Sequence, residues 1–175
     1  MSSALLSMGS NLGDRQAILA TAIHQLGERV RSVSSVYRTP PWGPIPQDDY
    51  DNLVVRVCDD ATDAPGWLDR GLALEQQAGR QRSVRWGPRT LDVDVIVVGV
   101  QRRHDDRLTL PHPRAHERGF VLVPWAEIEP AAVLPGHGPI ADLLAALPAE
   151  ATAGIVATGR IPGTPGPAGA GAGSC

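Results

Sequence analysis

The chain predicts an α+β fold, a ferredoxin-like βαββαβ sandwich whose antiparallel sheet carries helices on one face, with extra short helices toward the C-terminus. Three observations carry this reading. Short Val- and Leu-rich runs recur between clusters of turn residues. Two segments, near 14–26 and 65–78, place apolar residues at helical spacing. The order that results is strand, helix, strand, strand, helix, strand. Many functions occupy such a fold, so the chemistry has to be sought in particular residues.

Ala4 to Met8 is an apolar run ending at Gly9-Ser10-Asn11-Leu12-Gly13-Asp14, a strand followed by a turn and a helix start. From Asp14 to Leu26, the residues Ala17, Ile18, Ala22, Ile23 and Leu26 mark one helical face, and Gly27 is the expected stop. Val30 to Arg38 reads as a strand with one solvated side. Thr39-Pro40-Pro41-Trp42-Gly43-Pro44-Ile45-Pro46 excludes helix and central strand, because proline fixes φ and lacks a donor. A loop this stiff loses little entropy on ordering and presents Trp42 at low cost. Asn52 to Cys58 is the next strand. A second helix runs from Pro65 to Ala78, with Gly79 as its stop. Leu91 to Val100 is a strand, and Leu108-Thr109-Leu110 is a short extended piece. Residues 114–127 read as helical but interrupted at Pro124, and Ile140 to Leu147 as a last short helix.

Residues 1–150 thus form one domain. Residues 151–175, almost wholly Gly, Ala, Pro, Thr and Ser, lack the apolar content to offset ordering and are expected to be a flexible tail that catalysis does not need, with Ile155-Val156 its one apolar anchor. A net charge of −3 over 175 residues leaves no excess of basic groups to neutralise many phosphates, so a general nucleic-acid partner is not expected. Two cysteines, one at the last residue, imply no disulfide framework. No apolar run approaches the roughly 18 to 20 residues of a membrane span, and no signal peptide precedes the first strand. The expectation is a cytoplasmic monomer.

The densest concentration of chemistry is Arg80 to Asp94, where four arginines and Trp86 lead through Gly87-Pro88 into a strand. Alternation along that strand points Leu91, Val93, Val95 and Val97 one way and Asp92, Asp94, Ile96 and Val98 the other. The two carboxylates share a face, with α-carbons about 6.6 Å apart. Like charges there need a cation, which arginines supply as structural ion pairs or a metal supplies as part of a phosphate site. Clustered arginines at 80, 82, 85 and 89 suit a lid over polyphosphate, since guanidinium groups pair with phosphate in bidentate fashion. Trp86 and Trp42 are candidates to stack on a planar ligand, whereas Trp67 and Trp125 sit in helical patterns and are assigned to packing. The Gly9–Gly13 turn lacks the Lys-Ser/Thr ending of a P-loop. His112 and His116 evoke a zinc helix, but Pro113 separates them and no glutamate follows His112, so His112 with Arg118 is read as a phosphate or ribose contact.

Arg85-Trp86-Gly87-Pro88-Arg89-Thr90-Leu91-Asp92-Val93-Asp94 resembles the signature of the 6-hydroxymethyl-7,8-dihydropterin pyrophosphokinases of folate biosynthesis. Gly9 to Asp14, Tyr37 to Gly43, Tyr50-Asp51-Asn52, Leu108 to Arg114 and Arg118-Gly119-Phe120 carry the resemblance over residues 4–147. It implies an ATP-dependent diphosphotransferase in which Asp92 and Asp94 hold two Mg²⁺ ions, and Arg82 and Arg89 act on the transferring group. Glu75, Val95, Arg107, Thr109, His112 and Arg118 would surround the nucleotide. Gly9, Thr39, Pro40, Trp42, Tyr50, Asn52, Trp86 and Phe120 would bind the pterin. The chain departs from the pattern in carrying no lysine between Arg82 and Arg85 and in placing Arg114 after Pro113. Two other classes stay open at this level: a ferredoxin-like nucleic-acid or regulatory module using the arginines and tryptophans, and a two-metal phosphohydrolase needing no acceptor.

Overall fold

The computed structural model describes residues 2–41, 46–79 and 88–167. Strand β1 (Ser3–Ser10) leads to helix α1 (Arg15–Leu26), then β2 (Val30–Val33), β3 (Val36–Thr39), β4 (Tyr50–Cys58), α2 (Ala64–Gln77) and β5 (Asp92–Val98). These make the βαββαβ order, with the second strand broken into β2 and β3 at Ser34-Ser35. The main sheet runs β3-β4-β1-β5, with β2 also on β4 and the C-terminal strand β10 (Val156–Gly159) on the outer edge of β3, and its pairings are antiparallel. Asp14 caps α1 by accepting the Ala17 N–H, Asp63 caps α2 by accepting the Gly66 N–H, and Gly27 and Gly79 take positive φ just beyond the helices.

One layer of core lies between the sheet and α1 and α2, where Leu6, Met8, Leu53, Val55, Val93 and Val95 meet Leu19, Ile23, Trp67 and Leu74. The expectation of helices on one face only is corrected by the other side. There α3 (Gly119–Ile128) and α4 (Ile140–Ala146) cover Leu5, Val54, Ile96 and Val97 with Val121, Leu122, Trp125, Ile128 and Ile140. Strands β1 and β4 are buried on both faces, which alternation in their apolar runs does not distinguish from one-sided burial. Pro124 lies inside α3 without ending it, since burial of this apolar helix outweighs the lost backbone bond. Trp67 and Trp125 are fully buried, in packing roles.

Strict alternation in β5 also stops short of its end. The register with β1 slips between Leu5 and Leu6, which pair with Val97 and Val95. This bulge puts Val97 beside Ile96 in the second core and returns Val98 to the first. Asp92 and Asp94, before the bulge, keep the shared face that the sequence assigns them.

Two small hairpins follow β5: β6 (Arg103–His104) with β7 (Thr109–Leu110), and β8 (Val133–Leu134) with β9 (Gly138–Pro139). The C-terminal segment carries more structure than its composition predicts. After α5 (Ala149–Thr152), β10 (Val156–Gly159) pairs with β3, Ile161 joins the first core, and the Pro165 carbonyl accepts the Val33 N–H. Pairing on an open sheet edge uses backbone groups, so a Gly- and Ala-rich stretch can achieve it without large side chains. Among the described residues no helix is long and apolar enough to cross a membrane.

Candidate active site

The C-terminal end of β1 forms the floor of a cleft of about 320 Å³ lined by Ser7, Gly9, Thr39, Pro40, Tyr50, Asn52, Arg89, Asp92, Asp94, Arg118 and Phe120. Sheet register explains the gathering. Gly9 lies opposite Asn52 on β4 and Asp92 on β5, and Ser7 lies opposite Asp94. Side chains two apart on these three strands therefore rise from one face. Strand β3 adds Thr39 opposite Tyr50, and the first turn of α3 brings Phe120 over the top.

At one end the groups are charged. Arg89 pairs with Asp92 at 2.6 Å, and the Arg118 guanidinium donates to Asp94 Oδ2 at 2.7 Å, with His112 Nε2 3.7 Å from the same oxygen. Burial, reinforced by Arg118, pushes the His112 imidazolium below its usual range against the pull of Asp94 and Asp92. Arg118 also lies over the Phe120 ring, 5.4 Å from its centroid. Among the described residues no group of three or more His, Cys, Asp or Glu is placed to hold a metal. Two carboxylates on one strand are a sparse, hard-oxygen donor set. That fits Mg²⁺, which keeps water and phosphate oxygens as most of its ligands, and does not fit zinc.

At the other end the groups are neutral and oriented. Asn52 is 6% exposed and its amide nitrogen donates to Thr39 Oγ1 at 2.6 Å. A β-carbon on Gly9 would overlap the Asn52 amide oxygen, so glycine is what leaves room for this amide. Tyr50 donates its hydroxyl to Gln47 at 3.2 Å. An oriented amide beside aromatic rings suits a flat heterocycle with donors and acceptors on its edge.

Of the residues the sequence singled out, ten line this one cleft and His112 borders it through Asp94. Others stand elsewhere. Glu75, 4% exposed, accepts the Val93 N–H at 2.9 Å from the helix side of β5, and Val95 packs in the first core. Arg107 pairs with Asp69 at 2.6 Å on the surface, and Thr109 meets His104 at 3.2 Å. Arg82, Trp42 and Trp86, with the rest of the arginine-rich segment up to Gly87, lie outside the described residues.

Sequence reasoning missed two residues. Ser7 lies on the cleft floor, and the step of two back from Gly9 along β1 would have found it. The sequence places Asn11 in a turn and in the Gly9–Asp14 motif and assigns it no contact of its own. Its side chain accepts the Arg89 N–H at 2.8 Å and donates to Gln47 Oε1 at 3.0 Å and the Asp48 carbonyl at 3.1 Å, while its backbone N–H donates to the Arg89 carbonyl at 3.1 Å. One buried amide thus fixes the segment carrying Arg89 against the segment entering β4. No local pattern signals contacts across such separations.

Residues 5–130 match the family model for 7,8-dihydro-6-hydroxymethylpterin-pyrophosphokinase. The chain belongs to this family. It is 44% identical over 161 residues to the 2-amino-4-hydroxy-6-hydroxymethyldihydropteridine pyrophosphokinase of Mycobacterium tuberculosis, covering 84% of this chain and 85% of that one. Against the protein of the same name from Methylorubrum extorquens it is 45% identical over 141 residues, covering 78% and 89%. The fold matches a Plasmodium falciparum HPPK-DHPS structure with a TM-score of 0.64 at 13% identity, covering 82% of this chain and 45% of that longer one. The chain is therefore a pyrophosphokinase, a diphosphotransferase, and the cleft is the place in the fold to look for its chemistry.

Proposed function

We propose that the enzyme transfers the pyrophosphoryl group of ATP to the hydroxymethyl oxygen of 6-hydroxymethyl-7,8-dihydropterin in folate biosynthesis, releasing AMP. The observation that carries this reading is the division of one cleft into a carboxylate and guanidinium end and an amide and aromatic end. The names of the relatives point to the same acceptor. In the transfer, the acceptor oxygen bonds to the β-phosphorus as the bridge to the α-phosphate breaks, and AMP takes the leaving electron pair. The acceptor's hydroxyl proton passes to solvent.

Asp92 and Asp94 are the residues to hold Mg²⁺, two ions in the full assembly. When bound there, the metal would supply Lewis-acid chemistry, offsetting phosphate charge and lowering the cost of removing the acceptor's proton. Arg89 and Arg118, now on the aspartates, are placed to exchange those partners for phosphate oxygens and stabilise charge on the transferring group. Asn52, held by Thr39, reads the polar edge of the pterin, and Phe120 and Tyr50 supply its apolar walls. The remaining nucleotide contacts assigned above, the pterin contacts of Trp42 and Trp86, and the lid role of residues 80–87 with Arg82 rest on the sequence. The enzyme is further proposed to work as a cytoplasmic monomer on these small molecules, without nucleic acid.

Incubation with ATP, Mg²⁺ and the hydroxymethyl-dihydropterin should give AMP only when the pterin is present. AMP formed without acceptor would indicate a nucleotide hydrolase instead, and no AMP at all would reject the assignment.

A further inference from the structure

The C-terminal segment reaches two walls of the cleft at once. Gly154 has φ +74, and a β-carbon there would sit 2.9 Å from Pro40 Cγ, so the backbone lies directly on the cleft-lining proline. The next residue, Ile155, places its Cδ1 3.0 Å from where a β-carbon on Gly119 would stand, and that same β-carbon would overlap the Ala151 carbonyl. Gly119 is buried and immediately precedes Phe120. The segment is fixed on both sides of these contacts. Upstream, the Ala153 and Ile155 N–H groups bond back to Ala149 and Thr152. Downstream, Val156 and Ala157 pair with Arg38 and Tyr37 of β3, and Thr158 Oγ1 donates to the Val36 carbonyl. Arg160 then ties the Val33 carbonyl, at 2.8 Å, to Glu127 of α3, at 3.4 Å.

We propose that Gly154 and Ile155 are positioning residues for the acceptor end of the cleft: wedged between Pro40 and the Gly119 turn, they set how far the Pro40 wall stands from the Phe120 ring. Neither touches the cleft itself. Close packing transmits small displacements, so loosening this wedge changes the gap into which a flat ring inserts, while Asp92 and Asp94, held by β5 and β1, keep their geometry and pin the Arg118 guanidinium through its 2.7 Å bond to Asp94. The proposal rests on the pterin reading of that end.

Two full-length variants test it from opposite directions. Ile155→Ala removes the contact with Gly119, and Gly154→Val drives bulk against Pro40 at a backbone angle that disfavours it. Each should raise KM for the pterin about tenfold while leaving KM for ATP and kcat within about twofold. Amide hydrogen exchange at residues 118–121 should quicken in both. Val156→Ser, at a side chain 58% exposed on β10, serves as the unaffected control. An unchanged pterin KM in both variants would overturn the proposal, as would a parallel rise in both KM values with a falling Tm, the mark of general destabilisation. If the parent itself shows no acceptor-dependent AMP, the functional reading fails. The wedge is then decided by the exchange measurement alone, with unchanged rates at 118–121 rejecting it.

Discussion

Replacing Asp94 by Asn separates a phosphate-and-metal role for the β5 carboxylates from a structural one. Sequence reasoning alone suggests a variant as stable as the parent or more so, since one of two neighbouring like charges disappears. The ion pairs reverse that sign. Arg118 is 11% exposed at its side chain and bonds Asp94 at 2.7 Å, so the substitution removes the Asp94 charge from beside a mostly buried guanidinium. Breaking a fully buried pair costs about 3–5 kcal/mol, and an exposed one about 0–1 kcal/mol. Asp94 is 31% exposed, and an asparagine oxygen still accepts the Arg118 bond, which places the loss between these limits. A cost of about 1–2 kcal/mol lowers Tm by about 2–8 °C in a domain of this size. Turnover should fall by about 10²–10³-fold, the scale of losing one preorganised electrostatic group. Acceptor-dependent AMP release at saturating substrates and Mg²⁺ measures the second quantity, and calorimetry the first. Turnover within about fivefold of the parent would refute the carboxylate's role in the reaction. A Tm at or above the parent's would refute the counter-charge argument.

Two further expectations follow from the same structure. Gly9→Ala forces its β-carbon onto the Asn52 amide oxygen and displaces the amide from Thr39, so KM for the pterin should rise by about tenfold or more with KM for ATP nearly unchanged; equal effects on both substrates would show that the amide does not read the acceptor. Acid stability should depend on Glu129: burial alone would raise this carboxyl, but the Arg56 guanidinium and the Trp125 N–H together hold it below the usual range. A depressed carboxylate stabilises the fold above its unfolded value near pH ~4.3, and that contribution is lost as pH falls through the lower folded value. Tm should therefore drop below pH ~4.3, and Glu129→Gln should flatten that part of the profile in thermal melts. A parent-like profile in the variant would assign the acid sensitivity to other groups.

Much of the architecture was legible because local pattern and tertiary role agree. Asp14 and Gly27 bracket α1 as caps, and Asp92 and Asp94 fall on one face because a strand alternates. What stayed hidden depends on contacts that no local period encodes. The apolar run of β1 does not say that α3 and α4 will cover its second face. The chain near Val156 shows few large apolar residues, yet a free edge beside β3 needs only its backbone. Glu75, given a nucleotide role by resemblance, also bonds a strand N–H on the helix side of β5, a contact that its sequence surroundings do not signal. The cleft was readable as a set of residue types, since Thr39, Tyr50, Asn52, Asp92, Asp94 and Phe120 do converge. The amide of Asn11, which holds two chain segments in register with one another, was not.

Among the described residues, the two arginine–aspartate pairs balance each other's charge at the polar end of the cleft. Each carboxylate has its guanidinium, so a lone cation finds its ligands already engaged, and a lone polyphosphate finds its arginines held by aspartates. On the proposed reading, a complex carrying both charges would exchange partners with both pairs, giving each group a new counter-charge for the one it loses. In the language of ion exchange, the resting protein stores its site as an internal salt. On the proposed reading, such a site should favour a matched pair of opposite charges over either charge alone.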